Sequence, residues 1–125
     1  MSKILVVDDD IDILSVMEIL LSMKGFDVEV TSRGENTLPK IESFKPDLIL
    51  LDVLISGYDG RTICKQLKSN QATCHIPVIM FSAYYKKRTE CMAAGADEFI
   101  EKPFQMQALL ETIRHFAGKT GLQRC

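Results

Sequence analysis

The sequence predicts one α/β domain with a doubly wound, five-stranded parallel sheet. Short apolar runs recur along the chain without polar alternation, which is typical of strands buried on both faces. Stretches with apolar residues at helical spacing lie between these runs, so that strand and helix alternate five times. The chain has 125 residues, 46% of them hydrophobic and 26% charged, which suits a single domain with its own core.

The first part of the chain contains two strand–helix units. Residues 4–7 are predicted to be an interior strand, and residues 13–21 carry apolar side chains along one helix face. Residues 26–30 alternate apolar and polar side chains, which indicates a strand with one partly wetted face near an edge of the sheet. A weaker helix is predicted at 34–44, where Pro39 implies a late start or a kink.

The rest of the chain contains three further units. Its strands are expected to be interior, at residues 48–51, 76–80 and 98–100. Its helices are expected around residues 63–67, 85–94 and 106–116. The middle helix is predicted to end at Gly95 in a left-handed cap. We assign residues 1–118 to the domain and 119–125 to a short C-terminal tail.

Charge and composition argue against several classes of protein. A formal net charge of −2, with both signs interspersed, provides no broad basic field for nucleic-acid phosphates. No apolar stretch approaches the ~20 residues of a membrane helix, and we expect a cytoplasmic protein without direct nucleic-acid or membrane binding. The four cysteines form no CxxC pair and are expected to be reduced thiols that pack in the core.

Polar residues follow four of the predicted strands. Asp8 and Asp9 follow the first strand, Asp52 the third, Ser82 the fourth and Lys102 the fifth. In sheets of this kind, ligands bind beyond the carboxyl ends of the strands, near the point where strand order reverses. These side chains are therefore expected to converge.

Such a cluster predicts a metal ion and phosphoryl chemistry. Neighbouring carboxylates raise one another's pKa, unless a hard cation that prefers oxygen ligands, such as Mg²⁺, lies between them. A metal ion, an ammonium group and a hydroxyl group around a further carboxylate can position and neutralise a phosphoryl group during transfer.

Each of these residues also has a simpler interpretation. One of Asp8 to Asp10 could cap the helix that begins near Ile11, and Ser82 could cap the helix after the fourth strand. Lys102 could be a solvated surface lysine. Asp52 is harder to explain in this way because it directly follows an apolar, interior strand.

Four segments resemble the motifs of one family. ILVVDDD, DLILLDVLISGYDG, VIMFSAY and GADEFIEKPF are similar, in this order, to the motifs of response-regulator receiver domains of two-component signalling. The resemblance covers essentially the whole chain. It implies a flavodoxin-like (βα)₅ fold with strand order 2-1-3-4-5.

The resemblance also implies roles for the acidic residues. Asp52 would accept a phosphoryl group from a sensor histidine kinase, a histidine phosphotransfer protein or a small phosphodonor. Asp9, Asp52 and the carbonyl oxygen of Leu54 would bind Mg²⁺, for which Mn²⁺ can substitute, and Asp8 would act through a metal-bound water. The chain would then catalyse its own phosphorylation and dephosphorylation rather than turn over a substrate.

The remaining implied roles concern the switch. Lys102 would pair with a phosphoryl oxygen, and its bond to Pro103 resembles the family's cis peptide. Ser82 would move to hydrogen-bond another phosphoryl oxygen, and Phe99 would fill the space released, although it is equally a core residue. The change would reach the face made by the fourth helix, fifth strand and fifth helix, where an unidentified target binds.

Four residues depart from the family pattern, and one of them is Pro39, which is unusual in the second helix. Ser56 replaces the usual proline after the phosphoacceptor, and we expect a looser loop there. Leu54 and Tyr84 are bulky where many relatives carry small or polar groups. We hypothesise that they hinder the water that hydrolyses the aspartyl phosphate.

Two rival interpretations stay open. A haloacid-dehalogenase-type phosphatase would use Asp8 and Asp10 of a DxD motif, but it leaves Asp52 unexplained and needs acidic residues after Lys102, where the sequence offers only Glu111. A degenerate receiver would act only as a protein-binding module. A flavodoxin-like electron carrier is disfavoured because aspartates in its first loop would repel a phosphate.

Overall fold

Five parallel strands form the centre of the molecule. The computed structural model describes residues 2–117, and its main strands are β1 (Lys3–Val7), β2 (Asp27–Thr31), β3 (Leu48–Asp52), β6 (Val78–Ser82) and β7 (Glu98–Glu101). Their order is β2–β1–β3–β6–β7, and each neighbouring pair is parallel. Counting only these strands, the order is the expected 2-1-3-4-5, and the doubly wound fold is confirmed.

The remaining elements flank the sheet. The helices are α1 (Ile11–Met23), α2 (Thr37–Phe44), α3 (Gly60–Lys68), α4 (Arg88–Ala93) and α5 (Met106–Ala117). Short 3₁₀ turns at Gly34–Asn36 and Tyr85–Lys87 precede α2 and α4. A two-stranded antiparallel hairpin, formed by β4 (Leu54–Ile55) and β5 (Tyr58–Asp59), lies between β3 and α3.

The sheet separates two apolar clusters. Successive side chains of a strand point to opposite faces, so each central strand contributes to both clusters. The cluster beneath α2, α3 and α4 includes Val7, Ile49, Leu51, Ile63, Cys64, Leu67 and Phe99. The cluster beneath α1 and α5 includes Ile4, Leu14, Leu21, Leu50, Phe81, Leu110 and Ile113. This double burial explains the apolar runs in the sequence.

The last strand corrects one prediction. We expected residues 98–100 to be an interior strand, but β7 lies at the edge of the sheet, next to β6 alone. Phe99 is buried in one cluster and Ile100 packs against the other. Helices cover both faces of this edge strand, and it therefore needs the same apolar side chains as an interior strand.

The fourth strand of the sheet also starts later than expected. Residue 76 was predicted to open it, but the Ile76 N–H donates to the Thr73 carbonyl oxygen and belongs to the preceding turn. Pro77 has no N–H to contribute to a ladder. The strand therefore begins at Val78 and extends to Ser82.

The helix ends agree with the local sequence signals. Asp10 caps α1, because its side chain accepts hydrogen bonds from the backbone N–H groups of Asp12 and Ile13. Pro39 lies in the first turn of α2, where a missing N–H costs little, and the late start of that helix is confirmed. Gly95 has φ 102°, which confirms the left-handed conformation expected after α4.

The cysteines differ from one another. Cys64 and Cys91 are free and buried, and burial raises the pKa of each thiol to about 11, as expected of core thiols. Cys74 is disulfide-bonded, so the prediction of a reduced thiol is wrong for that residue.

Two further expectations concern the extent of the chain. Within residues 2–117, no helix has the length and apolar character that crossing a bilayer requires. The tail expected at 119–125 lies outside the described residues.

Candidate functional site

Three carboxylates meet at the carboxyl end of the sheet. β1 and β3 are neighbours, with Val7 opposite Leu51, so the residues that follow lie side by side. Asp8, Asp9 and Asp52 each offer a carboxylate oxygen within 4.8 Å of the others. Asp8 and Asp52 are buried, whereas Asp9 is exposed. The convergence expected from the sequence is therefore present for all three aspartates.

Lys102 completes this cluster from the loop after β7. Its Nζ lies 2.8 Å from Asp8 Oδ2 and 3.6 Å from Asp52 Oδ2. The same ammonium group lies 4.7 Å from the centre of the Phe81 ring, within the range of a cation–π contact. Its side chain is only 18% exposed, which rules out the interpretation of a solvated surface lysine. The bond to Pro103 is cis.

Electrostatics make Asp52 unusual among these acids. Burial of the carboxyl group, followed by the neighbouring charge of Asp8, raises the pKa of Asp52 to about 7, although Lys102 opposes the shift. Two adjacent acids thus share one lysine. Their donor atoms are all carboxylate oxygens, the ligand type that Mg²⁺ prefers. The residues therefore fit a divalent hard cation, which would relieve the repulsion between them.

Ser82 lies at the same end of the sheet. It is the buried last residue of β6, and its backbone carbonyl accepts a hydrogen bond from the Lys102 N–H at 2.7 Å. Its Oγ accepts a hydrogen bond from the Tyr84 N–H at 3.1 Å. The hydroxyl group therefore stabilises the turn after β6, but it does not cap α4, whose cap residue is Lys87. Its proposed contact with a phosphoryl group remains a prediction.

Phe99 lies in the middle of β7, with its side chain buried in the cluster beneath α2, α3 and α4. Its carbonyl oxygen accepts a hydrogen bond from the Arg88 guanidinium at 3.4 Å. The core role of this residue is therefore present, and its role as a switch remains a prediction.

The hairpin after Asp52 forms one wall of the site. Leu54 lies in β4 with its side chain 58% exposed, and metal binding by its carbonyl oxygen remains a prediction. At the hairpin tip, the backbone N–H and the Oγ of Ser56 both donate to Asp9 Oδ2 at 3.2 Å. The loop expected to be loose at Ser56 is thus tied to the acidic cluster. A proline could make neither contact.

Gly60 is a site residue that the sequence interpretation missed. A Cβ added there would overlap the backbone carbonyl oxygen of Asp52, and the Gly60 N–H donates to the Val53 carbonyl oxygen at 2.7 Å. The first turn of α3 thus packs directly on the segment that carries Asp52. The Asp59-Gly60 pair, in which Asp59 caps α3, is the signal in the sequence.

An ionic network links the hairpin to α4. The Arg61 side chain binds Asp59 at 2.6 Å and also contacts Glu90. This guanidinium group lowers the pKa of Asp59. Nothing in the spacing of these residues identified the network in advance, because Glu90 is 29 positions away from Arg61.

Comparison with known proteins identifies relatives of this chain. A family model described as "Response regulator receiver domain" matches residues 4–114. RpaA of Synechocystis sp., named a DNA-binding dual master transcriptional regulator, is 33% identical over 96% of this chain and 51% of its own length. The PhoP protein of Bacillus subtilis, named an alkaline phosphatase synthesis transcriptional regulatory protein, is 40% identical over 82% of this chain and 42% of its own length. The chain spans about half the length of these curated relatives.

Solved structures of receiver domains are also similar to this chain. A CheY-like response regulator receiver domain protein from Methanospirillum hungatei superposes with a TM-score of 0.88 at 28% identity, covering 96% of both chains. The receiver domain of NtrX from Brucella abortus superposes with a TM-score of 0.84 at 28% identity, covering 92% of this chain and 98% of that one.

Proposed function

This chain belongs to the response regulator receiver domain family of two-component systems, and from that premise we propose that it is a phosphorylation-activated switch. Asp52 accepts a phosphoryl group from a sensor histidine kinase, a histidine phosphotransfer protein or a small phosphodonor. The observation that carries this proposal is the convergence of Asp8, Asp9, Asp52 and Lys102 at one end of the sheet.

The geometry suits the transfer of a phosphoryl group to a carboxylate. An oxygen of Asp52 attacks phosphorus while the bond between phosphorus and the donor breaks, and the donor keeps that electron pair. Lys102 approaches the carboxylates of both Asp8 and Asp52, so its charge lies where the anionic phosphoryl group arrives. Positioning and charge neutralisation account for most of the catalysis of such a transfer.

A divalent ion would complete this site. Asp9, Asp52 and the Leu54 carbonyl oxygen would hold Mg²⁺, or Mn²⁺ in its place, and Asp8 would contribute through water. The bound ion would supply positive charge to the phosphoryl oxygens and lower the repulsion between the acids. In this proposal the chain promotes its own phosphorylation and dephosphorylation.

The signal would leave through the face formed by α4, β7 and α5. Ser82 lies on β6, next to β7, and Phe99 lies on β7, which supports a relay in which Ser82 moves toward the phosphoryl group and Phe99 follows. A target protein would bind to this face. We further propose residues 1–118 as the receiver domain, 119–125 as its tail, and a cytoplasmic location.

The names of the curated relatives bear on whether nucleic-acid binding can be excluded. The formal net charge of −2 does not favour contact with nucleic-acid phosphates. The names of the two curated relatives refer to DNA binding or to transcription, and they do not support a general exclusion of nucleic acid for a longer protein. The proposal is restricted to phosphoryl transfer and partner proteins.

A phosphatase of the haloacid-dehalogenase type is disfavoured by one contact. That mechanism needs Asp10 as a free acid, but an Asp10 carboxylate oxygen accepts the N–H groups of Asp12 and Ile13 at 3.0 and 3.3 Å. A degenerate receiver, which would act only as a protein-binding module, is disfavoured because Lys102 forms ion pairs with both Asp8 and Asp52. Turnover of p-nitrophenyl phosphate with more than one phosphate released per chain would favour the phosphatase.

Intact mass spectrometry tests the proposal. The parent chain, incubated with Mg²⁺ and acetyl phosphate, is expected to gain one phosphoryl group, and the gain should be lost with EDTA. Asp52→Asn should gain none, whereas the control Asp12→Asn, an exposed acid on α1, should behave as the parent does. An equal gain by Asp52→Asn would contradict the assignment of the acceptor.

A further inference from the structure

Ser56 is the one departure from the family motif that contacts the acidic cluster directly. It lies between β4 and β5, and both of its donors, the N–H and the Oγ–H, reach the same oxygen of Asp9, Oδ2, at 3.2 Å. A carboxylate is a strong acceptor, so these are charge-assisted hydrogen bonds.

The hairpin turn does not itself require a serine at this position. Gly57 has φ 78°, whereas Ser56 is not among the residues with positive φ. A negative φ followed by a positive φ is the pattern of a type II turn, in which proline is favoured at the first central position. The ladder pairs Leu54 with Asp59 and Ile55 with Tyr58, and the Ser56 N–H points to Asp9 instead. Proline would therefore satisfy the turn and remove only the two contacts with Asp9.

Of the three carboxylates, Asp9 is the one whose orientation depends most on a hydrogen-bond partner. Asp8 is buried, with one oxygen bound to Lys102 and the other to the Asp10 N–H, and Asp52 is buried at the end of β3. Asp9 is exposed, and an exposed side chain rotates freely unless a partner fixes it. Because Ser56 occupies Oδ2, Oδ1 remains available for a metal ion.

We propose that Ser56 is a positioning residue that holds the Asp9 carboxylate in place for Mg²⁺ and so strengthens metal binding. This inference rests on the proposed function, because it assumes that the acidic cluster binds Mg²⁺. Hydrogen bonds to a ligating carboxylate fix its orientation, and loss of such an outer partner typically weakens metal binding by ~10- to 100-fold. We expect the low end of this range because Ser56 and Asp9 are both exposed.

The test is a Mg²⁺ titration of the full chain without a phosphodonor, followed by amide shifts in ¹H–¹⁵N NMR spectra. Ser56→Pro, which removes both donors, should weaken Mg²⁺ binding about tenfold. Ser56→Ala keeps the N–H and should fall between Ser56→Pro and the parent. Ser56→Thr keeps both donors and should bind Mg²⁺ as the parent does.

Thermal unfolding without metal separates positioning from a general structural effect. Ser56→Pro should melt at or above the temperature of the parent, because proline suits the turn, even though its Mg²⁺ affinity falls. If the parent binds Mg²⁺ and both Ser56→Pro and Ser56→Ala bind it as tightly as the parent or more tightly, this inference is overturned. The proposed function would then be unaffected. A parent chain that binds no Mg²⁺ would overturn the metal site of the proposed function as well.

Discussion

The backbone of Gly60 packs against the carbonyl oxygen of Asp52 so closely that no side chain fits between them. Gly60 also opens α3, directly after its cap Asp59. This close approach places the first turn of α3 beside the strand end that carries the proposed phosphoacceptor.

Gly60→Ala should therefore destabilise the fold and disturb Asp52. The added methyl group forces backbone atoms apart, and overpacking of this kind costs about 1–3 kcal/mol. Urea denaturation measures the loss, and phosphorylation by acetyl phosphate reports on Asp52. The control Thr62→Ala lies on the exposed side of α3 and should change neither. A Gly60→Ala variant as stable as the parent would show that the two segments separate easily.

Lys102→Met should destabilise the chain when Mg²⁺ is absent. The variant leaves the Asp8 carboxylate, 1% exposed, without the ammonium group, and breaking a buried ion pair costs about 3 kcal/mol or more. Added Mg²⁺ should restore part of this loss by replacing the missing positive charge. Urea midpoints with and without Mg²⁺ measure both effects, with Lys24→Met on the exposed surface as the control. Equal midpoints for variant and parent without Mg²⁺ would refute the prediction.

Leu54→Asn and Tyr84→Ala should each shorten the lifetime of the phosphorylated chain by a few-fold. Leu54 and Tyr84 are 58% and 64% exposed, Leu54 two residues beyond Asp52 and Tyr84 two beyond Ser82, where bulk can exclude an attacking water. Loss of the phosphoryl mass after removal of acetyl phosphate gives the rate. Val16→Ala, an exposed apolar residue of α1, is the matched control. The hypothesis is wrong if neither variant loses phosphate faster than the parent.

The bond between Arg61 and Asp59 should contribute stability that is lost in acid. Arg61 holds the pKa of Asp59 below its ordinary value, so Asp59 stays charged in the folded chain at a pH where the unfolded chain binds a proton. The contribution is present above the unfolded pKa and disappears as the pH falls through the folded one. Solvent screening limits it to less than about 1 kcal/mol.

Arg61→Met should accordingly lose less stability than the parent when the pH is lowered from neutral to a value below the ordinary pKa of an aspartate, about 3.9. Urea denaturation at both pH values measures the difference. Lys65→Met, an exposed cation on the same helix, should resemble the parent. Identical acid sensitivity of Arg61→Met and the parent would mean that the pair contributes nothing measurable.

Cys64 and Cys91 should resist alkylation in the folded chain. Both thiols are buried, and burial raises their pKa to about 11, so the reactive thiolate is scarce near neutral pH. Peptide mass mapping after iodoacetamide treatment at pH ~8 should find both unmodified in buffer and modified in urea, because only the unfolded chain exposes them and restores an ordinary thiol pKa. Rapid labelling of either thiol in buffer would contradict the burial described above.

Much of the fold follows from the sequence because each strand is buried on both faces. That requirement produces uninterrupted apolar runs, and the helical spacing between them sets the order of the elements. The same requirement misled us about β7, since an edge strand covered by helices carries the same apolar residues as an interior strand. Apolar runs indicate burial, whereas strand order depends on pairings between distant segments.

The candidate site was predictable to the extent that it depends on strand ends. Asp8, Asp9, Asp52, Ser82 and Lys102 all reach the carboxyl edge of the sheet, as expected. Contacts that depend on loop geometry were not predictable. The hydrogen bonds from Ser56 to Asp9, 47 positions earlier, and the close approach of Gly60 arise from the path of the hairpin, which no periodicity in the sequence specifies.

The separation of the core into two clusters also affects how the stability of the molecule responds to amino-acid substitutions. The clusters have no side chain in common, and substitutions without shared partners combine additively. Repacking beneath α1, for example at Leu14, can therefore tune overall stability while the surroundings of Phe99 on the opposite face stay as they are. In this architecture, substitutions beneath α1 and substitutions around Phe99 can be combined with little interference between them.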